Sequence, residues 1–296
     1  MITQPYQRLQ ELSWKKPVSS NAPASSNITQ EVFPLTDHQK IMQEIIPAKL
    51  KEIEFRENIR IIHCIESGSR AWGFASPDSD YDVRFIYVRS PEYYLRLDKT
   101  RDVIEWQLDD TLDINGWDLQ KALRLLHKSN PTLFEWNSSP IVYKTTPEWA
   151  QISAVINDFF QKKAGLYHYL STAKTNYREY LKGDTVKLKK YFYVLRPILA
   201  CRWILEKQTP PPMLFSELAE ACLDESLVPA VTDLLRLKME TPELGVGPRI
   251  DVINDYLDAS IEEVEQLILT LPPDDKDSWE ELNRLFLKIV GLSSTL

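Results

Sequence analysis

The feature that most constrains the fold is a polar segment between two strand-like apolar runs, with glycine near its start and two aspartates at its end. The first run, Ile59–Ile65, leads into the pair Gly68–Ser69. After ten intervening residues come Asp80 and Asp82, which open the second run, Val83–Val88. Alternate residues of a strand point to the same face. The sequence therefore predicts two strands joined by a long turn, with both carboxylates directed into one pocket.

These residue types suit a metal ion and a polyphosphate. Two carboxylates on one strand are typical ligands of Mg²⁺, a hard cation that usually shares its oxygen ligands with phosphates, and Mn²⁺ accepts the same ligands. The turn at Gly68 and Ser69 offers backbone N–H groups and a hydroxyl to a triphosphate. The alternative for Asp78-Ser79-Asp80 is ordinary turn chemistry. The spacing between two strand-like runs favours a site for Mg²⁺ and a nucleoside triphosphate.

The same segment carries a resemblance to a known superfamily. The pattern in which Gly-Ser is followed after about ten residues by Asp-x-Asp is similar to the signature of the DNA polymerase β-type nucleotidyltransferases. The longer strings GSRAWGFASPDSDYDVRFIYV and GWDLQKALRLLHKSNPTLFEW, with the following SSP, resemble most closely the predicted nucleotidyltransferases assigned to an RNA-repair pathway. The resemblance covers roughly Ile59–Tyr143. It implies a small mixed sheet with the metal site on one face, NTP (ATP favoured) bound between two domains, and transfer of NMP to a hydroxyl.

Nucleotidyl transfer by two metal ions calls for a third carboxylate beside the paired aspartates, which we predict as metal ligands. Asp113 is the predicted third ligand, because it lies in a strand-like run just before the GWDLQKAL string. Glu105, Asp110 and Asp118 are the alternatives. Asp118 also has a sufficient structural role as the N-cap of a helix over 119–127.

Five further residues are predicted to contact the nucleotide. Arg84 is in phase with the paired aspartates, although a salt bridge that neutralises them explains it equally well. Arg70 follows the Gly-Ser pair, where a surface arginine is the alternative. Lys190, Tyr193 and Arg196 recur at about three-residue intervals and so share a face of a predicted helix, which could hold the triphosphate and stack the base. The alternative is a solvated basic face.

The order of elements predicts an α+β fold, a nucleotidyltransferase domain followed by an all-helical domain. Residues 1–35 are a polar extension rich in Ser, Asn and Pro. The catalytic domain covers 36–146 and the helical domain 147–296. Thr36 and Gln39 form the pattern of a capping box at the start of the first helix. Seven later helices are predicted near 147–162, 165–182, 185–207, 214–223, 226–239, 251–271 and 277–290.

Charge and composition limit the possible partners. Net charge is −8 overall, yet residues 162–202 alone carry +8, which suits a polyphosphate or a nucleic-acid strand. The sequence has three separated cysteines, no apolar run long enough to span a bilayer and no apolar segment of signal-peptide type at its N-terminus. These features predict a cytoplasmic protein without membrane contact. RNA such as tRNA is the favoured acceptor. A protein hydroxyl (AMPylation), a small molecule and a non-catalytic nucleotide- or RNA-binding module are the alternatives.

Overall fold

The computed structural model of the chain describes residues 36–109, 111–240, 245–274 and 278–292. The predicted extension 1–35 and the alternative ligand Asp110 lie outside the described residues. The polypeptide forms a mixed sheet with flanking helices, followed by a largely helical part, as the α+β prediction requires.

A five-stranded sheet forms the first half, with strand order β3-β4-β2-β1-β5. β2 and β4 run parallel, whereas the other neighbours are antiparallel. Parallel pairing places the N-terminal ends of β2 and β4 side by side, and β2 begins at the Asp-x-Asp motif. The strands are β1 (Arg60–Glu66), β2 (Tyr81–Val88), β3 (Val103–Asp109), β4 (Leu112–Asp118) and β5 (Val142–Thr145).

Helices cover both faces of this sheet. The predicted capping box is confirmed at Thr36, where α1 (Asp37–Lys40) begins; a π-helical turn (Ile41–Ile45) continues it into α2 (Ile46–Glu57). α2 packs Ile46, Leu50 and Ile53 against one face. The helices on the other face or in its loops are α3 (Gly68–Ala71), α4 (Pro91–Tyr94), α5 (Leu119–His127), α6 (Pro131–Asn137) and α7 (Pro147–Ser153), with a 3₁₀ turn at Ile156–Phe159.

The second half buries a separate core between helices. Its centre is α9 (Phe192–Lys207), whose residues from Phe192 to Ile204 are mostly inaccessible to solvent. The elements are α8 (Lys162–Tyr180), β6 (Thr185–Lys187), a 3₁₀ turn (Leu188–Tyr191), α9 (Phe192–Lys207), α10 (Phe215–Cys222), a 3₁₀ turn (Glu225–Leu227), α11 (Val228–Glu240), β7 (Val246–Pro248), α12 (Asp251–Thr270) and α13 (Glu280–Val290).

One predicted helix needs correction. The segment 185–207 begins not as a helix but as strand β6, which pairs with β7 in an antiparallel ribbon, and as a 3₁₀ turn. The strands escape a pattern-based prediction because each has only three residues and pairs with a partner about sixty positions away. Lys190 therefore lies in the 3₁₀ turn, whereas Tyr193 and Arg196 lie on α9.

Packing does not follow the predicted boundary between 146 and 147. Trp149 and Ile152 of α7 and Leu282 and Ile289 of α13 belong to the core beneath the sheet. The chain thus leaves the sheet-containing half after the 3₁₀ turn 156–159 and returns to it with α13. The two segments in which the chain passes between the halves meet at Asp274. Its carboxylate accepts hydrogen bonds from the N–H groups of Lys163 (3.0 Å) and Ala164 (2.8 Å) in the first turn of α8.

Candidate active site

The carboxylate of Asp82 lies directly against Gly68. A Cβ added at Gly68 would be 2.0 Å from Oδ2 of Asp82, and the backbone of Gly68 has a φ of +60°, which disfavours other residues. The N–H of Ser67 donates to the carbonyl of Asp82 at 2.8 Å. The glycine of the Gly-Ser pair is therefore required both by its backbone conformation and by the close approach of the aspartate.

Asp113 lies beside Asp82, on the adjacent parallel strand and in the same register. The Arg84 guanidinium connects the two, with Nη2 donating at 2.8 Å to Oδ1 of Asp82 and at 2.8 Å to Oδ2 of Asp113. Burial, followed by the charges of Asp113 and Asp80, raises the pKa of Asp82, and the charge of Arg84 opposes this shift. Arg84 thus neutralises the aspartates in the absence of another cation.

Asp80 is exposed, and its backbone is held by Arg70. Nε of Arg70 donates at 3.0 Å to the carbonyl of Asp80, and Nη2 donates to the carbonyl of Ser79. The same guanidinium stacks 3.9 Å from the centre of the Tyr81 ring. Arg70 therefore anchors the loop before β2, and these bonds favour a structural role over the predicted contact with phosphate.

The alternatives for the third carboxylate lie in other surroundings. Asp118 is buried at the opposite end of β4, where it caps α5 through Gln120 N (2.8 Å) and accepts from the Tyr94 hydroxyl (2.9 Å). Glu105 is on the outer strand β3 with 72% of its side chain exposed, paired at 3.6 Å with Arg101. The geometry thus favours Asp113, whose role as a ligand stays a prediction.

The donor set fits a hard divalent cation, because it consists of carboxylate oxygens whose mutual repulsion a cation relieves. Residues 36–109, 111–240, 245–274 and 278–292 contain no ready-made group of three His, Cys, Asp or Glu side chains at metal-binding distance. The Arg84 guanidinium takes one oxygen from each of Asp82 and Asp113, and the second oxygen of each carboxylate lies outside these two ion pairs.

Two buried residues of this region were not found from the sequence. Glu66 ends β1 with a fully buried carboxylate that accepts from Asp82 N (2.8 Å) and from the Tyr143 hydroxyl (2.5 Å), and burial raises its pKa to about 7. Lys238 of α11 extends its buried ammonium to within 3.4 Å of Ser76 Oγ, and burial lowers its pKa. The position of Glu66 at the end of an apolar run was the available signal that this residue is buried. Lys238 offers no such signal, because a lysine in an amphipathic helix is ordinary.

The helical half approaches the site through Tyr193. Its ring meets Trp72, the residue after α3, edge-on with 5.5 Å between ring centres. Burial raises the pKa of Tyr193, and so do the charges of Asp82 and Asp80. Lys190 Nζ lies 4.6 Å from the centre of the same ring. The structure therefore brings Tyr193 near Asp82 and Asp80 and places Lys190 against the Tyr193 ring, whereas the role of both residues in binding a nucleotide stays a prediction.

Arg196 has a different environment from the one predicted. Only 4% of its side chain is exposed, and Nη1 donates at 2.9 Å to Oε1 of Glu135. Two other nitrogens donate to the carbonyl of Met213, and the guanidinium stacks 4.8 Å from the Trp72 ring. A charge that is buried and already paired is a poor ligand for a triphosphate. We therefore assign Arg196 a structural role.

The basic segment 162–202 is partly neutralised by the acidic helix α12. Lys174, Lys182 and Arg202 form ion pairs with Glu265 (2.8 Å), Asp258 (3.0 Å) and Glu263 (3.0 Å). Lys187, Lys189 and Lys190 are grouped around the 3₁₀ turn. Burial, then the charges of Lys189 and Lys187, lower the pKa of Lys190. These three lysines form a lysine group, of which Lys190 lies against the Tyr193 ring.

Comparison with known proteins identifies the family of the chain. The model of the RNA repair pathway DNA polymerase beta family matches residues 42–288, and the chain belongs to this family of nucleotidyltransferase-like proteins. YcgL of Bacillus subtilis (strain 168), described as an uncharacterized protein, is 47% identical over 253 residues, which are 84% of this chain and 96% of YcgL. The crystal structure of a nucleotidyltransferase-like protein from Exiguobacterium sibiricum 255-15 matches with 14% identity and a TM-score of 0.31, over 83% of this chain and 89% of that one.

None of the helices in the described ranges combines the length and the apolar character that crossing a bilayer requires.

Proposed function

We propose that the protein is a Mg²⁺-dependent nucleotidyltransferase that transfers NMP from an NTP to the 3′ hydroxyl of an RNA and releases pyrophosphate. The observation that carries the proposal is the packing of the Asp82 carboxylate against Gly68, in register with Asp113. It joins the two parts of the motif, the acidic residues and the phosphate-binding turn, into one site. Family membership supports the same chemistry.

In this proposal Asp80, Asp82 and Asp113 hold the metal ions. Mg²⁺ bound there would supply charge neutralisation and a lowered pKa of the attacking hydroxyl, as in other two-metal sites. The turn at Gly68 and Ser69 would position the triphosphate, and Arg84, which donates to Asp82 and Asp113, would contact its phosphates. Glu66 holds the backbone of Asp82 in position from the buried side.

The lysine group supports RNA as the acceptor. Lys190 lies against the Tyr193 ring, with Lys187 and Lys189 close to it in the chain, and we expect a strand whose 3′ end reaches the aspartates to pass over them. Phosphate contacts release counterions, so this binding should weaken as salt is raised. The alternative acceptor, a protein hydroxyl, would use the same aspartates and have no need of the lysines.

A labelling assay tests the chemistry and the acceptor together. Purified protein is incubated with each α-³²P-labelled NTP, Mg²⁺ or Mn²⁺, and either total tRNA or cell lysate. We expect label in RNA, with ATP the preferred donor. Label in protein alone would exclude the RNA proposal and favour AMPylation, and label in neither, with NTP binding retained, would favour the non-catalytic module.

Matched variants identify the carboxylates. Asp82→Asn and Asp113→Asn should reduce transfer by at least about a hundredfold, which is the usual scale for loss of a group that stabilises the transition state. Glu105→Gln is the control, since Glu105 is a rejected alternative on the neighbouring strand. Full activity of Asp113→Asn together with an inactive Glu105→Gln would reverse the assignment.

A further inference from the structure

A cavity of about 130 Å³ lies between the halves of the protein, beside the aspartates. Trp72 and Tyr193 form the wall toward the active site: Trp72 directly follows α3, and the Tyr193 phenol is within reach of the charges of Asp82 and Asp80. The other side is formed by α8, with Thr172 among the lining residues. A planar ring in this cavity would have aromatic surfaces around it and the phosphate-binding turn next to it.

The carboxylate of Glu135 is one of the polar groups that line the cavity, together with Arg196, His168 and Thr172. Arg196 (2.9 Å) and the Tyr169 hydroxyl (2.8 Å) both donate to its Oε1. Its Oε2 accepts no hydrogen bond from the residues that the structure describes, and this oxygen is open to solvent although only 15% of the side chain is exposed. The carboxylate oxygen is thus available to an N–H group of a ligand.

Resting on the proposed function, we infer that this cavity is the nucleobase subsite and that Glu135 reads the exocyclic amino group of adenine. A single acceptor oxygen suits one N–H donor, and the Arg196 guanidinium holds the carboxylate of Glu135 in place through Oε1. The uracil edge, in which carbonyl oxygens flank the N–H, would place oxygen against the carboxylate. Glu135 would therefore determine specificity, while the aspartates carry the chemistry.

The test compares ATP with purine riboside 5′-triphosphate, which lacks only the amino group. Affinities are measured by calorimetry with Ca²⁺, a divalent ion chosen to allow binding without turnover. Wild type should bind ATP about tenfold more tightly, the scale of one hydrogen bond to a charged group. Glu135→Gln should reduce this ratio to about twofold or less, by the same scale. The control Glu148→Gln, which removes a carboxylate paired with Arg60 elsewhere, should keep it.

A second variant leaves the buried ion pair intact. Thr172→Phe should fill the cavity from α8, weakening ATP at least about tenfold while leaving inorganic triphosphate, which has no base, unaffected. Equal affinities for ATP and its deamino analogue in wild type would overturn the inference, as would a ratio unchanged in Glu135→Gln or ATP affinity unchanged in Thr172→Phe. If no nucleotide binds at all, or binding ignores Asp82→Asn, the proposed function itself fails.

Discussion

Replacing Gly68 with alanine should lower the free energy of unfolding through two separate effects. The first is backbone strain: φ is +60°, and a left-handed conformation costs a residue with a Cβ about 1–2 kcal/mol. The second is a clash, because the new Cβ would be 2.0 Å from Oδ2 of Asp82. Asp82 must then move and lose its bond with Arg84, which is worth about 1.5–3 kcal/mol as a charged hydrogen bond. The sum is about 2.5–5 kcal/mol.

Gly291→Ala provides a matched control. Gly291 also has a left-handed backbone, with φ of +79°, and a Cβ there would meet no atom of the described chain within 4 Å. This variant should lose only the strain, about 1–2 kcal/mol. Urea unfolding followed by circular dichroism measures both free energies of unfolding. Mn²⁺ binding, measured by calorimetry, should fall at least about tenfold in Gly68→Ala and stay unchanged in Gly291→Ala.

A double-mutant cycle then tests the cause. In an Asp82→Ala background the clashing oxygen is gone, so adding Gly68→Ala should cost only about 1–2 kcal/mol, like Gly291→Ala. If Gly68→Ala costs the same with and without the Asp82 carboxylate, or no more than Gly291→Ala in wild type, the proposed contact between glycine and aspartate does not constrain the site. Retained Mn²⁺ affinity in Gly68→Ala would refute the link to function.

Three other perturbations have defined outcomes. Burial lowers the pKa of His63 from 6.5 to about 4, so the unfolded chain takes up a proton at a higher pH than the folded protein does. The free energy of unfolding should therefore fall by about 3 kcal/mol as the pH drops from 6.5 to about 4. His63→Phe, which keeps the stacking on Trp149, should remove this pH dependence from urea titrations. Asp118→Ala removes the cap of α5 and should cost about 1–2 kcal/mol by urea unfolding without changing NTP affinity. The double variant Lys189→Gln/Lys190→Gln should lower the salt slope of RNA binding by about 1.4, for two single-strand phosphate contacts.

Each of these has a result that contradicts it. An unchanged pH profile in His63→Phe would mean that other groups control acid stability. Loss of NTP binding in Asp118→Ala, with the fold retained, would return Asp118 to the candidate metal ligands. A salt slope equal to that of wild type would remove Lys189 and Lys190 from the RNA path.

The predictions from sequence succeeded where the signal was local. Thr36 and Asp118 were identified as N-caps because their patterns lie within three residues of the helix start, and both hydrogen bonds are present. The alternation predicted Asp82 and Arg84 on one strand for the same reason, and both lie in β2, whereas Asp80 directly precedes the start of β2 at Tyr81. Asp113 came next to Asp82 through parallel pairing, which the periodicity of β4 alone does not determine.

Features that depend on contacts between residues far apart in the sequence were not predicted. Arg196 looked like a member of a basic stripe, because nothing near it in sequence shows that Glu135, sixty-one positions away, neutralises it. Glu66 was passed over because one acidic residue at the end of an apolar run has no periodic signature. The ribbon of β6 and β7 was missed because it depends on residues separated by about sixty positions.

The meeting of the two chain crossings at Asp274 has a topological consequence. Residues 162–271 leave and re-enter the sheet-containing half at neighbouring points, so the helical half is an insertion into that half rather than a domain appended to its end. Cutting the chain at the apparent boundary after residue 146 would discard α7 and α13 and open the core under the sheet. An excision that joins the chain across the base of the insertion would instead preserve that core, so that the sheet-containing half could be assayed for NTP binding by itself.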